Sequence, residues 1–106
     1  MTTASRGQVF YLDIGDRGWH YYVVVSNNGR NRVLKSVLAL MVTTTDKSHI
    51  DTAVQLSHQD SVTGWVVADN IDTLWDDELP NAPSGALSQG TMAKVGAALK
   101  IAFSLT

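Results

Sequence analysis

The sequence predicts an α+β fold in which a curved antiparallel sheet precedes one long helix. Segments rich in β-branched and aromatic residues, separated by turn residues, fill most of the 106-residue chain. Near the C-terminus the apolar residues change to helical spacing. Strands first and a helix last are typical of an α+β architecture. The length fits one domain over residues 1–106.

The central strand is the most apolar segment, Trp19–Val25, with the sequence WHYYVVV. It is too apolar for a surface strand, so we expect both of its faces to be buried. Asn28-Gly29 predicts a turn after it, since both residues tolerate positive φ, within a polar loop over Asn27–Arg32. This strand would deliver His20 to the rim of the sheet, which makes His20 a candidate functional residue.

The first strand is predicted over Val9–Ile14, where aromatic and β-branched residues follow Arg6-Gly7. Gly15–Gly18 follows it, with two glycines on either side of two charged residues, and predicts a turn. The first strand and the central strand should therefore form an antiparallel hairpin.

Further strands are predicted in the middle of the chain. Val33–Val42 is apolar apart from two residues and runs into three threonines, which favours a strand over a helix. Thr52–Leu56 alternates loosely and indicates a short edge strand. Trp65–Ala68 indicates a buried strand that leads into residues 69–74. Asp76–Leu79 resembles one helical turn that ends before Pro80.

The C-terminal helix is predicted to begin after Ser88, whose hydroxyl can accept a hydrogen bond from the first turn. Its apolar stripe comprises Met92, Val95, Leu99 and Ala102 or Phe103. Gly96 weakens a helix by about 1 kcal/mol relative to alanine, so we expect a close helix–sheet contact there.

Composition and motifs exclude several classes of function. The chain has no cysteine, which excludes disulfides and thiolate sites. No apolar run approaches the roughly 20 residues that span a bilayer, so we expect a soluble cytoplasmic protein. Phosphate-binding loops and zinc-protease motifs do not occur. The three histidines lie on different predicted elements, so we expect no metal and no cofactor.

Charge is distributed unevenly along the chain. Residues 1–35 contain five basic and two acidic residues, whereas residues 60–80 contain six acidic residues and no basic one. A basic N-terminal third suits a polyanion, although solvated loops explain the same pattern.

Three separated segments together resemble the MazF/PemK (Kid-like) toxins of bacterial type II toxin–antitoxin systems. Arg6–Ile14 (RGQVFYLDI) is similar to the family's R-G-[DE]-[IV]-[YW]-x-[VA]-[DN]-L. His20–Asn27 (HYYVVVSN) is similar to R-P-x-[VL]-[VI]-[IV]-S-N, and Asp69–Leu74 (DNIDTL) to [ED]-Q-[IV]-R-T-[IV]. The resemblance extends from about residue 6 to residue 105.

The resemblance implies an SH3-like curved barrel with a C-terminal helix, the MazF/CcdB-type fold, and a homodimer. It also implies cleavage of single-stranded RNA without a metal, in which the 2′-hydroxyl of the substrate attacks the phosphate. The products are a cyclic phosphate and a 5′-hydroxyl. A cognate MazE-like antitoxin would occupy the RNA groove.

The resemblance also implies catalytic positions, and this sequence departs from the family at one of them. The family uses an arginine at the start of strand two and a serine or threonine at the end of strand three. The hydroxyl corresponds to Thr43, with Thr44 beside it. His20 stands where the family has arginine, and Tyr21 replaces the next proline. A histidine exchanges protons near neutral pH, so His20 is predicted to act as acid or base and Arg17 to stabilise charge.

The predicted RNA-binding set completes the candidate site. Trp19 and Tyr21 would stack on unpaired bases, each contributing about 1–3 kcal/mol. Alternation puts Tyr21 and Tyr22 on opposite faces, so at least one of them belongs to the core. The remaining predicted RNA contacts are Asn27, Arg30, Arg32, Lys35 and Thr44.

A second interpretation keeps the barrel but removes the chemistry. Because the strand-opening arginine is missing, the chain could act by binding alone, as a CcdB-like gyrase poison or a catalytically degraded toxin. The first and third segments, and the presence of Thr43, favour the ribonuclease.

Overall fold

The computed structural model describes residues 4–105 and contains a five-stranded antiparallel sheet. The strands are β1 (Gln8–Asp13), β2 (Trp19–Val24), β3 (Ser36–Met41), β6 (Ile71–Trp75) and β7 (Gly85–Ala86). Their order across the sheet is β6-β3-β2-β1-β7. The antiparallel sheet and the C-terminal helix of the predicted α+β fold are confirmed. Residues 1–3 and 106 of the predicted domain lie outside the described residues.

A second, two-stranded sheet contains β4 (Ala53–Gln55) and β5 (Trp65–Val67). The edge strand expected over Thr52–Leu56 therefore pairs only with β5 and does not extend the main sheet. One antiparallel bridge, between Thr43 and Trp65, joins the two sheets just beyond the end of β3.

The core lies on both faces of β2, the middle strand of the main sheet. Val23 contributes to the cluster beneath the C-terminal helix, and Tyr22 and Val24 contribute to the cluster on the opposite face. All three side chains are fully buried. The expectation of burial on both faces is wrong for the first residue, because Trp19 is 61% exposed. At that point β2 has passed the edge of the core.

A helix, α1 (Asn28–Leu34), replaces the predicted turn at Asn28-Gly29 and the predicted loop over Asn27–Arg32. Asn27 caps it, because its side chain accepts a hydrogen bond from the Arg30 N–H at 3.0 Å. Lys35 ends it with a left-handed backbone (φ 54°). The strand predicted from Val33 therefore begins only at Ser36.

The 14-residue C-terminal helix, α2 (Gln89–Ala102), is confirmed with its Ser88 cap, whose side chain accepts a hydrogen bond from the Thr91 N–H. Met92, Val95 and Ala98 face the core. The predicted stripe is wrong at its end, because Phe103 lies beyond the helix and is 57% exposed.

Gly96 of α2 does not contact the sheet, contrary to the sequence prediction. The nearest atom to a Cβ built at Gly96 is a guanidinium nitrogen of Arg6, at 3.4 Å. No helix within residues 4–105 is long and apolar enough to cross a membrane.

Candidate active site

Two adjoining grooves lie at the end of the main sheet where β2 begins and β3 ends. The aromatic groove has a volume of about 690 Å³. Its lining residues are Tyr11, Trp19, His20, Tyr21, Val42, Thr43, Thr44, Thr45, Ser61, Val62 and Thr63. The charged groove, of about 470 Å³, is lined by Arg17, Met41, Thr43, Lys47, Val67, Asp69, Asn70, Ile71 and Asp72. Thr43 belongs to both grooves and forms the ridge between them.

The register of β2 against β3 brings His20 and Thr43 to the same level of the sheet. Tyr22 pairs with Met41, and the Val42 N–H donates to the Tyr21 carbonyl at 2.8 Å. The next position along this antiparallel register is His20 opposite Thr43. Two candidate residues 23 positions apart in sequence therefore meet at the end of adjacent strands.

Gly64 allows the small sheet to approach Thr43. The Thr43 and Trp65 backbones exchange two hydrogen bonds, of 2.9 and 2.8 Å. Gly64 has φ +129°, and a Cβ there would overlap the Thr43 carbonyl oxygen. Glycine is thus needed at residue 64 both for its backbone conformation and for space.

The Thr43 hydroxyl is half-buried and has one hydrogen available for a ligand. Its oxygen accepts a hydrogen bond from the Thr45 N–H at 3.2 Å. Because the hydroxyl accepts from the backbone, its own hydrogen can be donated toward either groove.

The His20 ring is held by the connection that precedes β2. Its Nε2 lies 2.9 Å from the backbone carbonyl oxygen of Arg17. A carbonyl oxygen can only accept, so Nε2 carries a hydrogen and donates it. In the neutral ring, Nδ1 is then the nitrogen that can accept a proton.

Three aromatic rings form a contiguous surface in the aromatic groove. Tyr11 stacks on Trp19 with ring centroids 5.2 Å apart and lies 4.5 Å from Tyr21. The register of β1 against β2 explains the cluster, because Tyr11 pairs with Tyr21 and Asp13 with Trp19. Tyr22, on the opposite face, is fully buried, as alternation requires.

Arg17 lies in the charged groove and is already paired. Its two terminal nitrogens donate to the two carboxylate oxygens of Asp72, both at 2.7 Å. The hydrogen bond to Asp72 raises the pKa of Arg17 above its ordinary value, so the guanidinium remains charged. To stabilise charge on a bound phosphate, Arg17 would have to exchange this partner.

The other predicted phosphate contacts lie away from both grooves. Arg30, Arg32 and Lys35 are on or next to α1, which adjoins Ser36 at the opposite end of β3 from Thr43. Seven residues of extended chain separate those ends, or about 23 Å at ~3.3 Å per residue. The Arg30 guanidinium also donates to the Ser36 carbonyl at 2.7 Å in a partly buried position.

Sequence reasoning missed several residues of the grooves. The sequence pattern predicts only that Tyr11 lies in a strand. Its pairing with Tyr21, and that of Asp13 with Trp19, places Tyr11 on the same face of the sheet as Trp19 and Tyr21. Lys47 and residues 61–63 come from connections whose course depends on the small sheet. Within residues 4–105, no three His, Asp or Glu side chains form a group that could hold a metal ion.

Comparison with known proteins gives the family. The model of the PemK-like, MazF-like toxins of type II toxin–antitoxin systems matches residues 5–103. Endoribonuclease MazF4 of Mycobacterium tuberculosis is 42% identical over 105 residues, which cover 99% of this chain and 97% of that protein.

Solved structures agree with this match. The chain resembles a mycobacterial endoribonuclease solved in complex with its cognate antitoxin, with a TM-score of 0.90, 41% identity and 98% coverage of both chains. It also shares its fold with MazF of the Deinococcus radiodurans MazE–MazF complex, with a TM-score of 0.82, 21% identity and full coverage of both chains. The chain therefore belongs to the PemK-like, MazF-like toxin family of type II toxin–antitoxin systems.

Proposed function

We propose that this toxin is an endoribonuclease that cuts single-stranded RNA in the cytoplasm at a short recognition sequence and thereby inhibits translation and growth. The observation that carries the proposal is the aromatic groove, where His20 and Thr43 lie beside three aromatic rings. The endoribonuclease names of relatives that match over their full length support it.

The proposed reaction needs no metal or cofactor, because the substrate supplies its own nucleophile. His20 Nδ1 accepts the proton of the 2′-hydroxyl, whose oxygen attacks the phosphorus while the bond to the 5′ oxygen breaks, and the departing 5′ oxygen takes up a proton from solvent. The products are a 2′,3′-cyclic phosphate and a 5′-hydroxyl. Thr43 donates a hydrogen bond to the phosphate, where negative charge develops.

Positive charge at the phosphate has two possible sources in the charged groove. Arg17 is the residue that the family resemblance suggests, and Lys47 lines the same groove. Either cation would act beside Thr43, on the side away from the aromatic rings. Bases would stack in the aromatic groove, on Trp19 and Tyr21, which leaves the scissile phosphate at the ridge.

Two partners belong to the proposal. A cognate MazE-like antitoxin would bind in the RNA groove. Relatives solved in complex with antitoxins support the partner. The chain would form a homodimer, which would cover some of the apolar side chains that are more than half exposed, such as Val33, Leu34 and Ile101. Light scattering during size-exclusion chromatography tests the dimer.

RNA cleavage in EDTA tests the proposed reaction. We expect purified protein to cut single-stranded RNA and to leave 5′-hydroxyl ends, which are mapped across a total RNA pool. His20→Ala and Arg17→Ala should each lower the rate by at least about 100-fold, within the usual range for losing acid–base or charge stabilisation. The His58→Ala variant, which changes an exposed histidine that lines neither groove, serves as the matched control and should cut at the normal rate.

The mapped ends would also give the recognition sequence. A stoichiometric amount of protein that produces no new ends would overturn the ribonuclease proposal. That result would favour the non-cleaving alternative, in which the same barrel acts by binding.

A further inference from the structure

Asp72 forms a bidentate ion pair with Arg17 at the charged groove, and neither the family resemblance nor the proposed chemistry gives it a role. It lies on β6, paired with Ala39 of β3, whereas its partner Arg17 lies in the connection between β1 and β2. Two parallel hydrogen bonds of 2.7 Å join them. Such bidentate pairs fix orientation as well as adding energy. Asp72 therefore links the β1–β2 connection to β6, which is an edge strand of the main sheet.

The backbone of the connection has few other contacts that fix its conformation. Gly15 and Gly18, on either side of Asp16 and Arg17, both have positive φ, of 59° and 81°. A Cβ at either glycine would meet nothing within 4 Å, so neither is packed against the body of the protein. The Arg17 N–H reaches the Ile14 carbonyl at 3.5 Å, which is long for a hydrogen bond.

The backbone carbonyl of Arg17 connects this ion pair to the His20 ring. The same residue whose guanidinium is anchored by Asp72 offers the carbonyl that receives the His20 Nε2 hydrogen at 2.9 Å. A hydrogen bond to one ring nitrogen determines which tautomer is present and how the ring is oriented. If the connection moved, the imidazole could place its hydrogen on either nitrogen.

We propose that Asp72 is a positioning residue, which acts through the Arg17 side chain and backbone carbonyl to keep His20 in its Nε2–H form. This inference rests on the proposed ribonuclease function only for its effect on rate. It gives Arg17 a different role from the charge stabiliser suggested by the family pattern. The Arg17 guanidinium fixes the conformation of the β1–β2 connection, and the Arg17 carbonyl determines which nitrogen of His20 carries the hydrogen.

The two roles of Arg17 predict opposite effects of Asp72→Asn. If the guanidinium stabilised charge on the phosphate, releasing it from Asp72 would leave the cleavage rate unchanged or raise it. If it positions His20, the rate should fall by about 10- to 100-fold, the same size of loss as for hydrogen-bond partners that orient metal-binding histidines. Asp16→Asn, the same change one residue from Arg17, is the matched control and should keep the normal rate.

The tautomer of His20 is measured separately by ¹⁵N NMR of the whole protein labelled at histidine. In the wild type, the ¹⁵N chemical shifts of His20 should show that the hydrogen is on Nε2. In Asp72→Asn they should show a mixture of the Nε2–H and Nδ1–H tautomers. The exchanged pair, Arg17→Asp with Asp72→Arg, restores the ion pair and should recover both the single tautomer and most of the rate. Circular dichroism establishes that each variant is folded.

These experiments distinguish a failure of the positioning role of Asp72 from a failure of the proposed ribonuclease function. If the wild type does not cut RNA, the ribonuclease proposal fails, while the NMR comparison still tests the role of Asp72. If Asp72→Asn keeps both a single Nε2–H tautomer and the normal rate, the positioning role is overturned. Failure of the exchanged pair to recover the tautomer in a folded protein would overturn it as well.

Discussion

At the scale of single residues, the candidate site depends on which side chains the strand register brings together. Tyr11 contacts Trp19 and Tyr21 because β1 and β2 pair in antiparallel register. Tyr11 is 42% exposed and Trp19 is 61% exposed, so both rings present a face to the groove. An exposed stack of aromatic rings beside His20, the candidate general base, is suited to holding an unpaired nucleotide.

Tyr11→Ala should weaken RNA binding by a factor equivalent to about 1–3 kcal/mol, the usual contribution of one stacked base. Tyr11→Phe keeps the ring and should bind nearly as well as the wild type. Fluorescence anisotropy with a labelled 2′-deoxy oligonucleotide, which lacks the attacking hydroxyl, measures the affinity without cleavage. Equal binding by the alanine variant would show that this ring does not contact the strand.

At the scale of elements, α1 differs most from the sequence prediction, and a buried amide explains it. Asn31 is fully buried and its Oδ1 accepts a hydrogen bond from the Ser26 hydroxyl at 2.5 Å. Its Nδ2 donates to the Ser26 carbonyl at 3.3 Å, and the Ser26 hydroxyl accepts from the Leu38 N–H at 2.9 Å. This network joins the end of β2, the helix and the start of β3.

Asn31→Ala should therefore destabilise the protein by about 1–3 kcal/mol, because it leaves buried groups of Ser26 without their partner. Urea unfolding at neutral pH measures the loss. The neighbouring Arg32→Ala, on the exposed face of α1, should change the free energy of unfolding by less than about 0.5 kcal/mol. Equal stabilities for the two variants would refute the role of the network.

At the scale of the whole molecule, Asp60 joins the connection between β4 and β5 to the start of α2. Its carboxylate accepts hydrogen bonds from the backbone N–H groups of Ser57 and Ser88 and from the Thr91 hydroxyl. Burial alone would raise its pKa, but these hydrogen bonds, together with one from the Ser57 hydroxyl, lower it below the ordinary value. Two distant parts of the chain, the β4–β5 connection and the start of α2, thus share one charged acceptor.

This lowered pKa predicts the pH dependence of stability. The stabilisation is present above the unfolded-state pKa of about 3.9 and is lost as the pH falls through the lower folded-state value. Asp60→Asn should cost about 1 kcal/mol or more at pH 7, since a charged acceptor is replaced by a neutral one. The difference from the wild type should shrink below about pH 4.

Urea unfolding at pH 7 and pH 3 measures this difference for Asp60→Asn. Asp77→Asn removes an exposed carboxylate on the 3₁₀ turn Asp76–Glu78 and is the matched control. If the difference between Asp60→Asn and wild type did not change with pH, the loss could not arise from the charge of Asp60.

The sequence by itself determined the features that depend on local pattern. The apolar run of β2 predicted a strand at the centre of the core, and Ser88 with its following stripe predicted α2. Hydrophobic periodicity and capping depend on residues close together in the chain, so they can be recognised without the fold. His20 is likewise predicted from the local pattern at the start of a strand, whereas Thr43 follows only from the family resemblance.

Tertiary structure alone decided how these parts meet. The Arg17–Asp72 pair joins residues 55 positions apart, and only the strand order brings the β1–β2 connection to β6. A helix forms where the sequence predicts a loop, and Asn31 of that helix is buried. This burial depends on the hydrogen bonds that join Asn31, Ser26 and β3. Such contacts arise from register and packing, which local sequence does not specify because the partners lie on other strands.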